Sequence, residues 1–241
     1  MAKNKKTKSL NKYISERGLC SRREADEWIS QGRVQLNGEL AKKGNRVGKK
    51  DVVTLDGKPL PKKPDVVYLA LHKPAGVTST TDLDDPDNII DYMDYPKRIF
   101  PVGRLDKAST GLLLLTNDGD IVNEILREEN EHEKIYIVKV HKPITPQFLN
   151  RMAAGVEILD QFTKPCLIEK LHPNLFKITL TQGLNRQIRR MCEKLGYRVL
   201  TLKRVRIMNI KLGDLEPGEY RDLTDQEIQK LRSQISHKAT S

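Results

Sequence analysis

The chain has 241 residues, 37% hydrophobic and 31% charged, with 43 Lys/Arg against 32 Asp/Glu for a formal net charge of +11. That length carries one or two domains with real cores. No window approaches the roughly 18 consecutive apolar residues of a helical membrane span, and no apolar segment follows the basic N-terminus as a signal peptide requires, so a cytoplasmic, membrane-free protein is expected.

Three scattered cysteines (Cys20, Cys166, Cys192) and five scattered histidines have no metal-ligand spacing, so neither a disulfide framework nor a metal is expected. The charge is uneven. Residues 1–64 hold 17 Lys/Arg and 7 Asp/Glu, while residues 65–241 hold 26 and 25. A basic module joined to a charge-balanced body suggests a polyanion-docking unit beside a part with another task.

In chain order, residues 1–8 read as a disordered basic arm. Leu10, Tyr13 and Ile14 then share a helical face, and Gly18 ends that helix. "SRREADEWIS" opens with a capping box, Ser21 with Glu24, and turns Ala25, Trp28 and Ile29 inward before Gly32. "RVQLNGELA" alternates around Asn37-Gly38, a hairpin signal, and a second strand from Asp51 to Leu55 meets Asp56-Gly57. "GKPLPKKPD" (57–65) is expected as a linker, which divides the chain into domains at 8–63 and 66–232.

The second domain begins with an apolar strand, "VVYLALHKPAG", turning at Pro74 and Gly76. An acidic excursion and a short helix follow. "GRLDKASTG" is a loop, Leu112 to Leu115 a buried strand, and Asn117-Asp118-Gly119 the turn into "DIVNEILR". "KIYIVKV" (134–140) alternates as a strand. Thr145-Pro146 caps a helix that Gly155 stops. Strands are expected near 162–171 and 175–181, then a helix over "NRQIRRMCEKLG", strands in "RVLTLKRVRIMNIKL", and a last capping box, Thr224 with Glu227. Strand runs with few helices predict an α+β domain with a largely antiparallel mixed sheet.

The chemistry centres on Asp106, a carboxylate set just before four leucines. A charge against an apolar wall is costly unless it is paired or used. A nucleophilic carboxylate needs a cation to stay ionised where water is excluded. Arg104 is one source; the other is "GLNRQIRRM", where Arg186, Arg189 and Arg190 stand at i, i+3 and i+4.

"GRLDKASTGLLLLTNDG", "KIYIVKV" and "GLNRQIRRM" together resemble the three motifs of the pseudouridine synthases of the RsuA/RluB/RluF type, with the stretch after residue 189 most like the RluF branch. "LNKYISERGLCSRREADEWISQGRVQLNG" resembles the S4 RNA-binding domain, and "HKPAGV" resembles that family's "NKPxG" turn, His replacing Asn. The resemblance implies that Asp106 is the catalytic aspartate, that Tyr136 stacks on the target base and that Arg189 pairs with the aspartate. It implies an RNA-contacting or base-displacing role for Arg104, and Lys73, Arg186 and Arg190 are further expected RNA contacts. Arg17, Arg22, Arg23 and Arg33 look like the phosphate-facing edge of the S4-like module.

The implied reaction converts uridine to pseudouridine in ribosomal RNA, 23S favoured, with base flipping and no cofactor. Asp106 would attack C1′ or C6, or remove the C2′ proton. A synthase acting on 16S ribosomal RNA or tRNA, and a non-catalytic RNA-binding or ribosome-assembly protein, are the alternatives. A monomer is expected.

Overall fold

The computed structural model describes residues 7–127 and 130–237. Two compact units result: residues up to Val66 with Tyr95–Arg98, and Val67–Asp94 with the chain from Ile99 on. Among the described residues, no helix is long and apolar enough to cross a membrane.

The first unit comprises β1 (Lys8–Ser9), α1 (Leu10–Ser15), α2 (Arg22–Ser30), β2 (Val34–Leu36), β3 (Glu39–Leu40), β4 (Arg46–Val47), β5 (Val53–Leu55) and β6 (Lys58–Pro59). The capping box forms: Ser21 Oγ accepts from Glu24 N at 3.1 Å, and the Glu24 carboxylate accepts from Ser21 N at 2.6 Å. Asn37 and Gly38 both take positive φ, the geometry of a two-residue hairpin turn between β2 and β3. Leu10, Ile14, Ala25, Ile29, Val34 and Val53 form the core.

Two expectations change here. Residues 1–6 of the basic arm lie outside the described residues, and Lys8–Ser9 pair with β4 as a strand. Lys58–Pro59, expected in the linker, pair with Thr54–Leu55 because the Asp56-Gly57 turn folds the chain straight back.

The second unit comprises β7 (Tyr68–Lys73), α3 (Ile89–Met93), β8 (Phe100–Val102), β9 (Thr110–Thr116), α4 (Gly119–Leu126), β10 (Lys134–Val140), α5 (Pro146–Ala154), β11 (Glu157–Ile158), β12 (Gln161–Phe162), β13 (Leu167–His172), β14 (Leu175–Leu180), α6 (Gln187–Lys194), β15 (Val199–Ile207), β16 (Ile210–Lys211), β17 (Tyr220–Asp222) and α7 (Asp225–His237). Nine strands make one sheet in the order β13-β14-β10-β15-β9-β7-β17, with β8 against β9 and β16 against β15. Sequence reasoning misses β8 and β17, each only three residues long. It also merges β12 and β13, which lie in different sheets on either side of Pro165, a residue that cannot donate to a ladder.

Every strand pair in this sheet is antiparallel except β15 with β9, whose parallel register covers only two pairs, Lys203 with Thr110 and Arg204 with Gly111. The sheet is therefore two antiparallel halves joined by a short parallel seam. Each half has its own core. Val138, Val140, Phe176, Ile178 and Leu202 pack under α5 and α6; Ala70, Leu112, Leu114, Ile121 and Ile125 pack with α4 and Leu231 of α7. α6 follows the helical stripe, burying Gln187, Ile188, Met191 and Cys192. α5 starts where Thr145 Oγ1 accepts from Phe148 N at 3.1 Å.

Gly111 is the tight point of the seam. A Cβ there would sit 2.2 Å from the Arg204 carbonyl oxygen, and its φ is +106°. Gly111→Ala should lower the stability of the second unit by roughly 3 kcal/mol or more, since it combines backbone strain with a backbone clash. Urea unfolding followed by circular dichroism checks this.

Candidate active site

Four of the central strands align in one cross-strand row. Lys73 on β7 faces Gly111 on β9, Gly111 faces Arg204 on β15, and Arg204 faces Tyr136 on β10. Directly paired residues project from the same side of a sheet. Lys73, Arg204 and Tyr136 therefore share a face, with Gly111 contributing no side chain between the two cations. The register of β10 against β15 slips between Ile135 and Tyr136, an irregularity of the kind that re-aims side chains beside sites.

Asp106 stands in the loop between β8 and β9. Ser109 N donates to Asp106 O at 2.9 Å, closing a turn. The buried Ser79 hydroxyl donates to Leu105 O at 3.0 Å and accepts from Leu105 N at 3.2 Å. Gly76 N donates to Lys107 O at 2.8 Å. The loop is thus tied to the 74–79 segment before it reaches any other site residue.

The cation for Asp106 is Arg189, 83 residues downstream. Arg189 Nε donates to Asp106 Oδ2 at 3.3 Å, and Nη2 donates to Ser109 Oγ at 3.0 Å. One guanidinium therefore holds both ends of the Asp106–Ser109 turn. The Arg189 side chain is 16% exposed and that of Asp106 35%, so the carboxylate keeps an open side for a ligand. Arg104 lies two residues away, yet its side chain is exposed and it pairs with no carboxylate among the described residues. Tyr136 is half-buried at the edge of the α5/α6 core.

Two of the expected RNA contacts on this unit are engaged within the protein, Lys73 in the interior and Arg190 at the surface. Lys73 is fully buried, and its Nζ donates to Pro74 O and Val77 O at 2.7 Å and to Lys107 O at 3.4 Å. It has no surface to offer RNA. Burial pushes its ammonium down to about 8, against the favourable pull of Asp106 and with the repulsion of Arg204. Arg190 folds back onto Asn185, with Nε donating to the carbonyl at 3.1 Å and Nη2 to Oδ1 at 3.0 Å. Arg186 precedes α6 in a left-handed conformation and is exposed, so it lies outside the helix that carries Arg189 and Arg190.

The four arginines of the first unit divide likewise. Arg22 and Arg23 are exposed at the start of α2. Arg33 is a bidentate partner of Asp56, at 3.0 and 2.6 Å, and its guanidinium lies 5.2 Å from the Trp28 ring. Arg17 lies over Tyr13 and donates to Pro61 O. Arg17 and Arg33 are thus already engaged within the protein.

Sequence reasoning missed Arg204, Ser79 and Ser109. The available signal for Arg204 was its parity. In β15, Leu202 and Arg204 alternate onto the buried side, so a charge stands where an apolar residue is the rule.

Comparison with known proteins bears on this geometry. The RNA pseudouridylate synthase family model matches residues 67–194, and the S4 domain model residues 9–53. Dual-specificity RNA pseudouridine synthase RluF of Escherichia coli K12 is 53% identical over 233 residues, covering 96% of this chain and 80% of its own length. Ribosomal large subunit pseudouridine synthase B of Bacillus subtilis is 35% identical over 238 residues, covering 95% and 97%. A crystal structure described as a pseudouridylate synthase superposes with a TM-score of 0.69 at 33% identity, covering 92% of this chain and 99% of that one.

Lys73 gives the second unit a pH signature. Its folded pKa, about 8, lies below the ordinary 10.5, so the unfolded chain holds more protons between those values. Stability then rises with pH across that window. Lys73→Met lacks this gain. The urea midpoint of the parent should move up relative to the variant from pH 7.5 to pH 10; a constant difference would contradict the assignment.

Proposed function

The chain belongs to the RNA pseudouridylate synthase family, and from that premise we propose that it isomerises uridine to pseudouridine in ribosomal RNA, with 23S ribosomal RNA as the preferred target and Asp106 as the catalytic group. The observation that carries this reading is the Asp106–Arg189 contact, which joins two motifs far apart in the chain at a half-open carboxylate. The name of the Bacillus relative supports a large-subunit target. The "dual-specificity" in the name of the Escherichia coli relative makes a second class of RNA a necessary part of any substrate test.

The reaction breaks the N1–C1′ bond and forms C5–C1′. The C5 proton leaves to solvent and N1 gains one, so no redox partner is needed. Asp106 acts as nucleophile or base at the ribose or at C6. Arg189 contacts its carboxylate and also holds Ser109 at the other end of the same turn, which orients it. Tyr136 offers its ring to the flipped base, since aromatic faces accept any base. The leucines of β9, buried behind the loop, exclude water.

We also assign docking to the S4 domain, within a division of the chain into an RNA-docking part at 8–63 and a catalytic part at 66–232. Arg22 and Arg23 supply phosphate contacts; Arg186 and Arg104, both exposed, supply more on the catalytic unit.

Tritium release from uracil C5 tests the chemistry. With ribosomal RNA lacking the modification, in EDTA, the parent should release label and Asp106→Asn should release none while binding the RNA with parental affinity. Comparable release by both would remove Asp106 from the mechanism. Separate 23S, 16S and tRNA arms read the target.

Replacing Arg22 and Arg23 together by Ala should weaken RNA binding and flatten the slope of log K against log salt by up to about 2, roughly 0.7–0.9 for each phosphate no longer neutralised. Filter binding across a salt series measures it, and an unaltered slope would place the docking edge elsewhere.

A further inference from the structure

We infer that Arg204 is a positioning residue for the isomerisation, its buried guanidinium tying the start of the loop that carries Asp106 to β9, the strand that follows it. The inference rests on the reading of Asp106 given above and gives a part to a residue which that reading leaves idle.

Arg204 is 3% exposed. Its Nε donates to Leu112 O at 2.7 Å and its Nη1 to Arg104 O at 3.5 Å. Arg104 lies in the loop two residues before Asp106 and Leu112 lies within β9, so one rigid group ties the start of the loop to the strand that follows it. The third nitrogen, Nη2, is buried with no hydrogen-bond partner among the described residues. No carboxylate pairs with this guanidinium among the described residues either, and Lys73, another buried cation, feels its repulsion. A buried, incompletely satisfied cation beside a second cation lowers stability relative to an apolar side chain of similar size. Core packing alone therefore does not account for an arginine here.

Geometry does. Gly111 lies opposite Arg204 and has no Cβ, which lets β9 press against the β15 backbone. That close approach brings the carbonyls of Arg104 and Leu112 within reach of the Arg204 side chain. A guanidinium is a planar fork able to serve two acceptors in fixed directions, whereas an ammonium is a single point charge on a flexible stem. Arg189 then reaches Asp106 and Ser109 from α6, so the loop is fixed by two arginines, one from β15 and one from α6. Displacement of a catalytic group by about 1 Å costs on the order of 100-fold in rate, which sets the effect expected when the β15 hold is broken.

The test uses the full chain with Arg204→Lys, Arg204→Met and Asp106→Asn in parallel. Tritium release is measured over an RNA concentration series, with circular dichroism melting and hydrogen exchange of residues 104–112. Arg204→Lys should fold, keep KM within about threefold and lose kcat by roughly 10- to 100-fold. Its loop amides should exchange faster while those of β10 and β14 keep their protection. A folded Arg204→Lys with parental kcat overturns the inference whatever the exchange pattern. Equal loss of protection throughout the unit, or failure of both Arg204 variants to fold, also overturns it and makes Arg204 a determinant of core stability. Turnover by Asp106→Asn would instead sink the site reading beneath it.

Discussion

Two residue pairs join the halves of the main sheet: Lys203 with Thr110, and Arg204 with Gly111. Everything on one side of this seam is antiparallel, and so is everything on the other. β9 and β15 press together most tightly at Gly111, where a Cβ would sit 2.2 Å from the Arg204 carbonyl oxygen. That constraint brings together a loop from the first half of the catalytic unit, a tyrosine from β10 and a helix from the second half. The loop carrying Asp106 ends where the seam begins, and α6, which carries Arg189, directly precedes β15.

The seam also concentrates charge. Lys73 and Arg204 are buried, Arg189 is nearly so, and the carboxylate among them is Asp106. Buried cations usually find carboxylate partners. Here Lys73 and Arg204 donate instead to backbone carbonyls at residues 74, 77, 104, 107 and 112. Using carbonyls as partners fixes the backbone of the loop and leaves the one carboxylate to Arg189 and to the ligand.

The S4 domain follows the same logic with a different outcome. Arginines close in sequence take unlike roles because the fold offers some of them a partner. Arg33 meets Asp56 across the turn into β6 and lies over Trp28, while Arg22 and Arg23 stand at the exposed start of α2 with nothing comparable to close on. Net charge marks the module as a polyanion binder, but the charges that remain available are those the fold leaves unpaired.

Local signals were legible in the sequence: the Ser21–Glu24 and Thr145 caps, the Asn37-Gly38 turn, the leucine strand of β9 and the basic first quarter of the chain. Each depends on residues a few positions apart, where propensity and capping chemistry decide. The family resemblance singled out Asp106, Tyr136 and Arg189 and implied the Asp106–Arg189 pair, whereas spacing alone left Arg104 as another source of the cation. Only the tertiary structure decided that Arg104 makes no such contact among the described residues, that Lys73 turns inward, that Arg190 folds back on Asn185, and that Arg204 reaches the Arg104 carbonyl. Each of these contacts depends on where strands lie side by side in the sheet, or on a backbone conformation such as that of Arg186, and neither is set by spacing along the chain. A side chain's partner is whatever the register brings within about 3 Å of its polar atoms, and register is a property of the assembled sheet.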